Sequence, residues 1–323
     1  MVSEIKLVNL TTKVEVRLGQ ENGYDYLFDD GDINWLNVPA THIAFSYPGQ
    51  VGNTISVTDI RERMPTIEGY CYYILTPEDR ALPRAEQAKL IERVIHARKR
   101  ILNSLVNPLD FISVNVNSSG IEYDLTGKPN ASILYGRTKR ENNEIFCKFM
   151  ITLNCNDPLF RQKTIDKSFT FETQPRFMFP LIIAKEKPII FGYRDRHRTI
   201  MINNNGDIII GAIITIEANK NIMQNIINPR IINRENGQQI VIRKTMQAGE
   251  KIIINTNDGN EKGIIGIIDD VESNYFKYWD FNNDWIKFAI GLTEVGFETD
   301  NHMEESLIIT ISIRPGRYAL EVL

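Results

Sequence analysis

The chain has 323 residues, enough for two domains with cores of their own at about 150 residues each. Hydrophobic residues make up 42% and charged residues 24%, the balance of an ordinary globular protein. A formal charge of −4 and a pI near 5.7 argue against broad neutralisation of duplex DNA, and no apolar run approaches the length of a membrane span.

Met1 to Val16 lacks the basic and apolar regions of a signal peptide, so synthesis and folding in a cytoplasm are expected. Cys71, Cys147 and Cys155 form no CxxC pair, and an odd count does not build a disulfide framework; reduced, packed thiols are expected.

In chain order, Ile5 to Leu18 reads as two short strands around Thr11-Thr12, with turn clusters at Gly19 to Gly23 and Asp29 to Asp32. The carboxylates of the second cluster lack the ligand spacing of a Ca²⁺ loop, so a solvated hairpin turn is expected. Ile43 to Tyr73 is strand territory broken by Pro48-Gly49, Gly52-Asn53 and Gly69. Thr76-Pro77-Glu78-Asp79 then has the composition of a helix start, and Leu90, Ile91, Val94, Ile95, Ile101, Leu102 and Leu105 recur at helical spacing. The spacing predicts a helix over about 84–105 that packs on an N-terminal sheet through Leu90, Val94, Ile101 and Leu105. On that reading Ile101→Asp costs on the order of 3 kcal/mol. Arg93, Arg98, Lys99 and Arg100 cover the other face and the last turns, either as a solvated surface or as one facing another subunit or nucleic acid. His96 has no second ligand at metal spacing.

Asp110 to Val116 reads as a strand, Asn117 to Asn130 as a polar loop, and Ile145 to Leu153 as a strand with Phe149, Ile151 and Leu153 on one face, left at Asp157-Pro158. Pro175, Pro180 and Pro188 among Phe169, Phe171, Phe177 and Phe179 mark a domain crossover, placed near residue 175. Asp207 to Glu217 is apolar on both faces over most of its length, as in a strand between two layers. Asn228 to Asp258 predicts a three-stranded antiparallel meander. Its strands lie around Ile231-Ile232, Ile240 to Ile242 and Ile252 to Ile254, and its turns at Glu235-Asn236-Gly237 and Ala248-Gly249-Glu250. Gly263 to Ile268, Trp285 to Ile290 and Leu307 to Ile313 complete the strands.

The spacing Asn228-Pro-x-Ile-x-Asn233, a turn, a strand, and Gly249-Glu-x-Ile-x-Ile-Asn-Thr256 resembles the C-terminal domain of siphovirus-type phage distal tail proteins. The Asp157-Pro158-Leu159-Phe160 exit is similar to the close of that family's N-terminal domain, and Ile311 to Tyr318 to its last strand. Gly291-Leu292-Thr293 departs from the Gly-x-Asn turn that often precedes this strand in the family, which puts the local turn in doubt and not the domain. The resemblance implies a mainly β protein. Residues 1–175 would form a β-barrel-like, tail-tube-like domain with one packed helix, and residues 176–323 a galectin-like β-sandwich. It further implies a structural virion component of a phage or prophage tail. Its copies would form a homo-oligomer, a hexamer ring through the N-terminal domains with the C-terminal domains outward. The ring would link the tail tube protein to the tail tip, hub or baseplate, after synthesis and assembly in the bacterial host cytoplasm.

No hydrolase, zinc-protease, Walker or dinucleotide-binding motif is present, and His42, His96, His197 and His302 are scattered. The expectation is a non-enzyme with no catalytic, cofactor or metal residues, no membrane partner and no sequence-specific nucleic acid. Two other readings remain: a carbohydrate-binding adhesin module stacking sugars on Tyr275, Tyr278, Trp279 and Trp285, and a tail-associated cell-wall hydrolase. Core or interface packing is the commoner use of such aromatics. Arg194, Arg196 and Arg198 read as a hairpin tip or subunit contact in preference to a phosphate site.

Overall fold

The computed structural model describes residues 4–19, 23–28, 40–45, 54–60, 62–118, 120–170, 173–175, 192–194, 199–222, 224–258 and 262–320; for 40–45, 54–60, 173–175 and 192–194 it gives the backbone path. The chain divides into two compact units, Met1–Lys163 with Gly316–Leu323, and Thr164–Pro315. The sequence-based boundary near 175 therefore falls inside the second unit. Phe169 explains the difference: it stacks on Phe297 at 5.8 Å, and its strand pairs with one near the end of the chain.

The first unit begins with β1 (Glu4–Asn9) and β2 (Glu15–Gly19), joined by a turn in which Asn9 Oδ1 accepts from the Thr11 and Thr12 amides at 2.9 Å. There follow β3 (Tyr26–Phe28), the separate hairpin β4 (Ala40–Phe45) and β5 (Thr54–Ile60), and β6 (Thr66–Ile74). After the helical segment come β7 (Ile112–Ser118), β8 (Ile121–Pro129), β9 (Leu134–Glu141), β10 (Glu144–Asn154) and β11 (Phe160–Gln162). The order β8-β7-β1-β2-β3-β6-β10, with β10 pairing back to β8 through Leu153↔Pro129 and Asn154↔Lys128, closes a barrel-like sheet of 7 strands. Closure removes open edges from these strands. Alternation decides which side chains fill it: Ile145, Cys147, Phe149, Ile151 and Leu153 of β10 are buried, while the residues between them are half-buried.

Where the sequence suggests a polar loop over 117–130, β8 runs. Its polar residues occupy the outer positions, and Tyr123, Leu125 and Gly127 point inward, so the polarity of this segment is that of the outer face of an alternating strand.

Thr76 caps a short helix, α1 (Pro77–Ala81), in a reciprocal arrangement with Asp79, and α2 (Arg84–Leu105) starts after Pro83. The extent of α2 agrees with the periodicity, but of the expected packed face only Leu105 is buried. Ile95, Leu102 and Leu105 join the barrel core and Gln87 is buried, while Leu90 and Val94 are half-buried and Ile101 is 45% exposed. The helix carries two apolar stripes side by side, and helical spacing alone does not say which one meets the sheet. Its last turn holds no basic residue, so Arg98, Lys99 and Arg100 stop short of it.

The second unit contains β12 (Ile165–Thr170), the pair β13 (Thr173–Pro175) and β14 (Gly192–Arg194), β15 (Thr199–Asn204), β16 (Ile213–Ala218), β17 (Ile226–Ile227), β18 (Arg230–Asn233), β19 (Gln239–Val241), β20 (Thr245–Met246), β21 (Lys251–Asn255), β22 (Gly263–Ile268), β23 (Val271–Asn274), β24 (Gly291–Glu298) and β25 (Leu307–Ile313). Two sheets, β12-β25-β16-β21-β22-β23 and β15-β24-β18-β19, contribute to one hydrophobic core, which makes this unit a β-sandwich. The predicted turns hold, with Gly237 and Gly249 at φ 74° and 76°. The predicted three-stranded meander does not. β18 and β19 pair antiparallel, but β21 lies in the other sheet between β16 and β22, because β20 pairs with β17 and the chain then crosses the core. The 207–217 stretch is likewise not buried on both faces: β16 starts at Ile213 and alternates, and Ile209 is exposed. Trp285 to Ile290 forms only a bridge from Phe288 to Ile210, and the strand proper begins at Gly291.

From Pro315 the chain returns to the first unit. β26 (Gly316–Arg317) adds to β11, and Leu320 enters the barrel core. Arg63, 1% exposed, anchors this strap: Nη2 donates to the Tyr318 carbonyl at 2.5 Å, and the guanidinium lies 4.6 Å from the centroid of the Phe160 ring. Burial lowers the Arg63 pKa to about 10.

Candidate functional site

On the first unit, α2 and β9 each present an exposed side. β9 is the end strand of its sheet, and seven of its eight residues are exposed. It is tied to the helix by the Tyr135 hydroxyl, which reaches the Lys99 carbonyl at 3.2 Å and Asn103 Oδ1 at 2.9 Å, and by Arg140 Nη1 donating to Gln87 Oε1 at 3.3 Å. The basic residues of α2 split accordingly. Arg98 pairs with Asp25 and lies over the Tyr73 ring, and Lys99 lies over Tyr135, so these two serve packing. Arg93 and Arg100 face solvent, and of the stripe Leu90, Val94 and Ile101 only Ile101 is exposed. The edge of β9, unpaired among the described residues, is a surface suited to another protein chain.

On the second unit the four aromatics considered for sugar stacking separate by role. Tyr275 is buried, its hydroxyl donating to Glu250 Oε1 at 2.9 Å; burial and this bond push its pKa up to about 12. Tyr278 meets it edge-on at 5.1 Å. Trp279 and Trp285 stack on each other at 4.4 Å, Phe276 stacks on Trp279 at 6.1 Å, and Lys262 covers Trp285 at 5.1 Å. The indole faces are spent on one another, which leaves Phe276 half-exposed and Phe281 fully exposed at the loop tip. That loop is held rigidly: Asn283 accepts from the Val241 amide at 2.7 Å and donates to its carbonyl at 2.8 Å, and Asp280 pairs with Arg243 at 2.5 Å. The Asn282 amide and Arg243 hold the Asp280 carboxyl below the usual range. Phe281 escaped sequence reasoning because an aromatic among aromatics gives no sign of which ring is left outside.

Residues 195–198, with Arg196, His197 and Arg198, and the Asp29 to Asp32 turn lie outside the described residues; Arg194 ends β14. His96 and His302 are exposed and far apart in sequence. Among the described residues no group of three or more His, Cys, Asp or Glu is placed to hold a metal ion, and no helix is long and apolar enough to cross a membrane. All three cysteines are buried and free.

A closed barrel bearing a long helix, joined to a two-sheet sandwich, defines a two-domain, mainly β protein. No protein-family model and no curated protein matches the chain, but solved structures do. The crystal structure of the SPP1 Dit (gp 19.1) protein, described as a paradigm of the hub adsorption apparatus in Gram-positive infecting phages, matches with TM-score 0.51 at 10% identity, covering 90% of this chain and 98% of its own. The phage P2 baseplate in its activated conformation with Ca matches at TM-score 0.47 and 15% identity over 97% and 98% of the two chains, and the phage p2 baseplate with Sr at 0.45 and 14% over the same shares. The chain shares its fold with the SPP1 Dit protein.

Proposed function

We propose that the chain is a structural component of a phage or prophage tail, a distal tail protein that works by assembly and not by turnover. Six copies would form a ring through the first unit and link the tail tube to the baseplate or tip, within a virion tail assembled in the bacterial host. The fold shared with SPP1 Dit over 90% of the chain carries this reading. The β9 edge and the exposed Ile101 of α2 support it, since a heterologous contact repeated around a closed ring covers such surfaces on every copy. The mutual stacking of Trp279 and Trp285 weighs against a saccharide platform as the alternative.

Sedimentation and negative-stain images of the purified protein test the proposal. The expected particle is a six-fold ring of six times the 37.1 kDa chain. A monomer at all concentrations, or a glycan-array signal lost on Phe276→Ala, would overturn it.

A further inference from the structure

The barrel core holds two thiols on neighbouring strands. In the β6–β10 pair Cys71 stands directly opposite Cys147, and residues opposite each other in an antiparallel pair project to one face with Cβ atoms about 4.5–5.5 Å apart. Both are free, and both are wholly buried in the barrel core. A disulfide requires Cα atoms about 4.4–6.8 Å apart and Cβ atoms about 3.5–4.5 Å apart; Cys71 and Cys147 form a hydrogen-bonded pair, whose Cα atoms stand about 5.5 Å apart, so the bond needs rotation about χ1 and a closer approach of the two strands at this point. The polar contacts to be given up are weak: Cys147 Sγ donates to the Gly136 carbonyl at 3.2 Å and to the Lys148 carbonyl at 3.8 Å. Cys155 is not part of the pair. It lies beyond the end of β10, bridged through its backbone to Arg63.

We propose that Cys71 and Cys147 are a disulfide-forming pair, oxidised by a small disulfide of the glutathione class while the barrel is forming or transiently open, and that the bond staples β6 to β10. One cysteine thiolate attacks the glutathione disulfide, forming a mixed disulfide and expelling a glutathione thiolate, which takes up a proton. The second cysteine gives up its proton and attacks the protein sulfur of the mixed disulfide, and the second glutathione leaves. Two protein thiols are oxidised and one glutathione disulfide is reduced to two thiols. The order of events follows from burial, which excludes glutathione from the folded core and pushes the Cys71 thiol up to about 12, whereas an exposed thiol ionises near about 8.5. The same burial then shields the bond from reductants. The segment between the two cysteines carries α2, β7, β8 and β9, so the staple constrains most of the barrel in the unfolded chain.

The full chain is refolded from urea in a buffer of oxidised and reduced glutathione, trapped with iodoacetamide and digested for mass spectrometry. The expected product carries a Cys71–Cys147 linked peptide and alkylation at Cys155 alone. Its Tm is about 5 °C or more above that of the reduced protein, a rise absent from Cys147→Ser. A second arm holds the native protein with diamide just below its Tm and reads the same peptides, so that poor refolding does not decide the matter. Three alkylated cysteines in both arms, a bond to Cys155, or a Tm lowered by the Cys71–Cys147 bond would overturn the proposal.

Discussion

The carboxylate of Glu250 and the phenol of Tyr275 meet at 2.9 Å inside the second unit, although 25 residues separate them. Glu250 is 1% exposed, and its charge is answered by Lys244, whose Nζ lies 3.0 Å from Oε1 and 5.2 Å from the centroid of the Tyr275 ring. The Gln247 amide donates to Oε2 at 3.0 Å. These contacts hold the crossing between β20 and β21, where the chain leaves one layer of the sandwich for the other. Glu250→Gln preserves the volume but strands the half-buried ammonium, and a loss of about 3 kcal/mol is expected. Urea unfolding of the second unit measures it. If Glu250→Gln is neutral, or if Lys244→Met in the same background restores nothing, the knot does not secure the crossing.

Tyr275 also sets a response to alkali. Its folded pKa of about 12 lies above the value of about 10 expected in the unfolded chain. The unfolded chain thus releases this proton first, so the contribution is complete below pH 10 and falls as the pH rises from 10 to 12. Tyr275→Phe should be less stable than the parent at pH 8 by about 1–2 kcal/mol and should lose less on going to pH 11. Parallel pH profiles for the two proteins would contradict this.

A glycine makes room for that ring. A Cβ at Gly266 would overlap Tyr275 ring atoms, so Gly266→Ala must displace either the ring or β22. A loss of about 2 kcal/mol is expected, with a change in near-ultraviolet circular dichroism as the stacked aromatics shift. A variant with parent stability would mean that the ring yields freely.

The two stripes of α2 make opposite predictions. Leu102→Ala opens a cavity in the barrel core and should cost about 3 kcal/mol. Ile101→Asp, at a surface position, should change stability by no more than about 1 kcal/mol but should weaken association of copies if the exposed side of α2 is used in assembly. Thermal melts and sedimentation of the two variants separate these effects.

The strap from Gly316 makes the first unit discontinuous. Residues 1–163 alone lack β26, Leu320 and the carbonyl that Arg63 binds, leaving a buried guanidinium short of partners. That fragment is expected to be poorly folded. A chain in which a short Gly-Ser linker replaces 164–315 should fold, because Arg161 pairs with Gly316 and the two ends are neighbours. Equal melting of the two chains would show that the strap is dispensable.

Local chemistry determined the elements whose signals are local. The extent of α2, the alternation of β10, the turns at Gly237 and Gly249 and the β-rich character of both halves were legible because periodicity and turn residues act over a few positions. Partner choice was not legible. Ile252 and Ile254 fit the sheet of β18 as well as the sheet they join, and Leu90, Val94 and Ile101 match a packed stripe as well as Ile95, Leu102 and Leu105 do. Those choices rest on burial free energy summed over residues distant in the chain. The same holds for the return of Gly316 to β11, the exposure of Phe281 and the meeting of Cys71 with Cys147: each depends on which surfaces the rest of the molecule has already covered, and only the tertiary structure settles that.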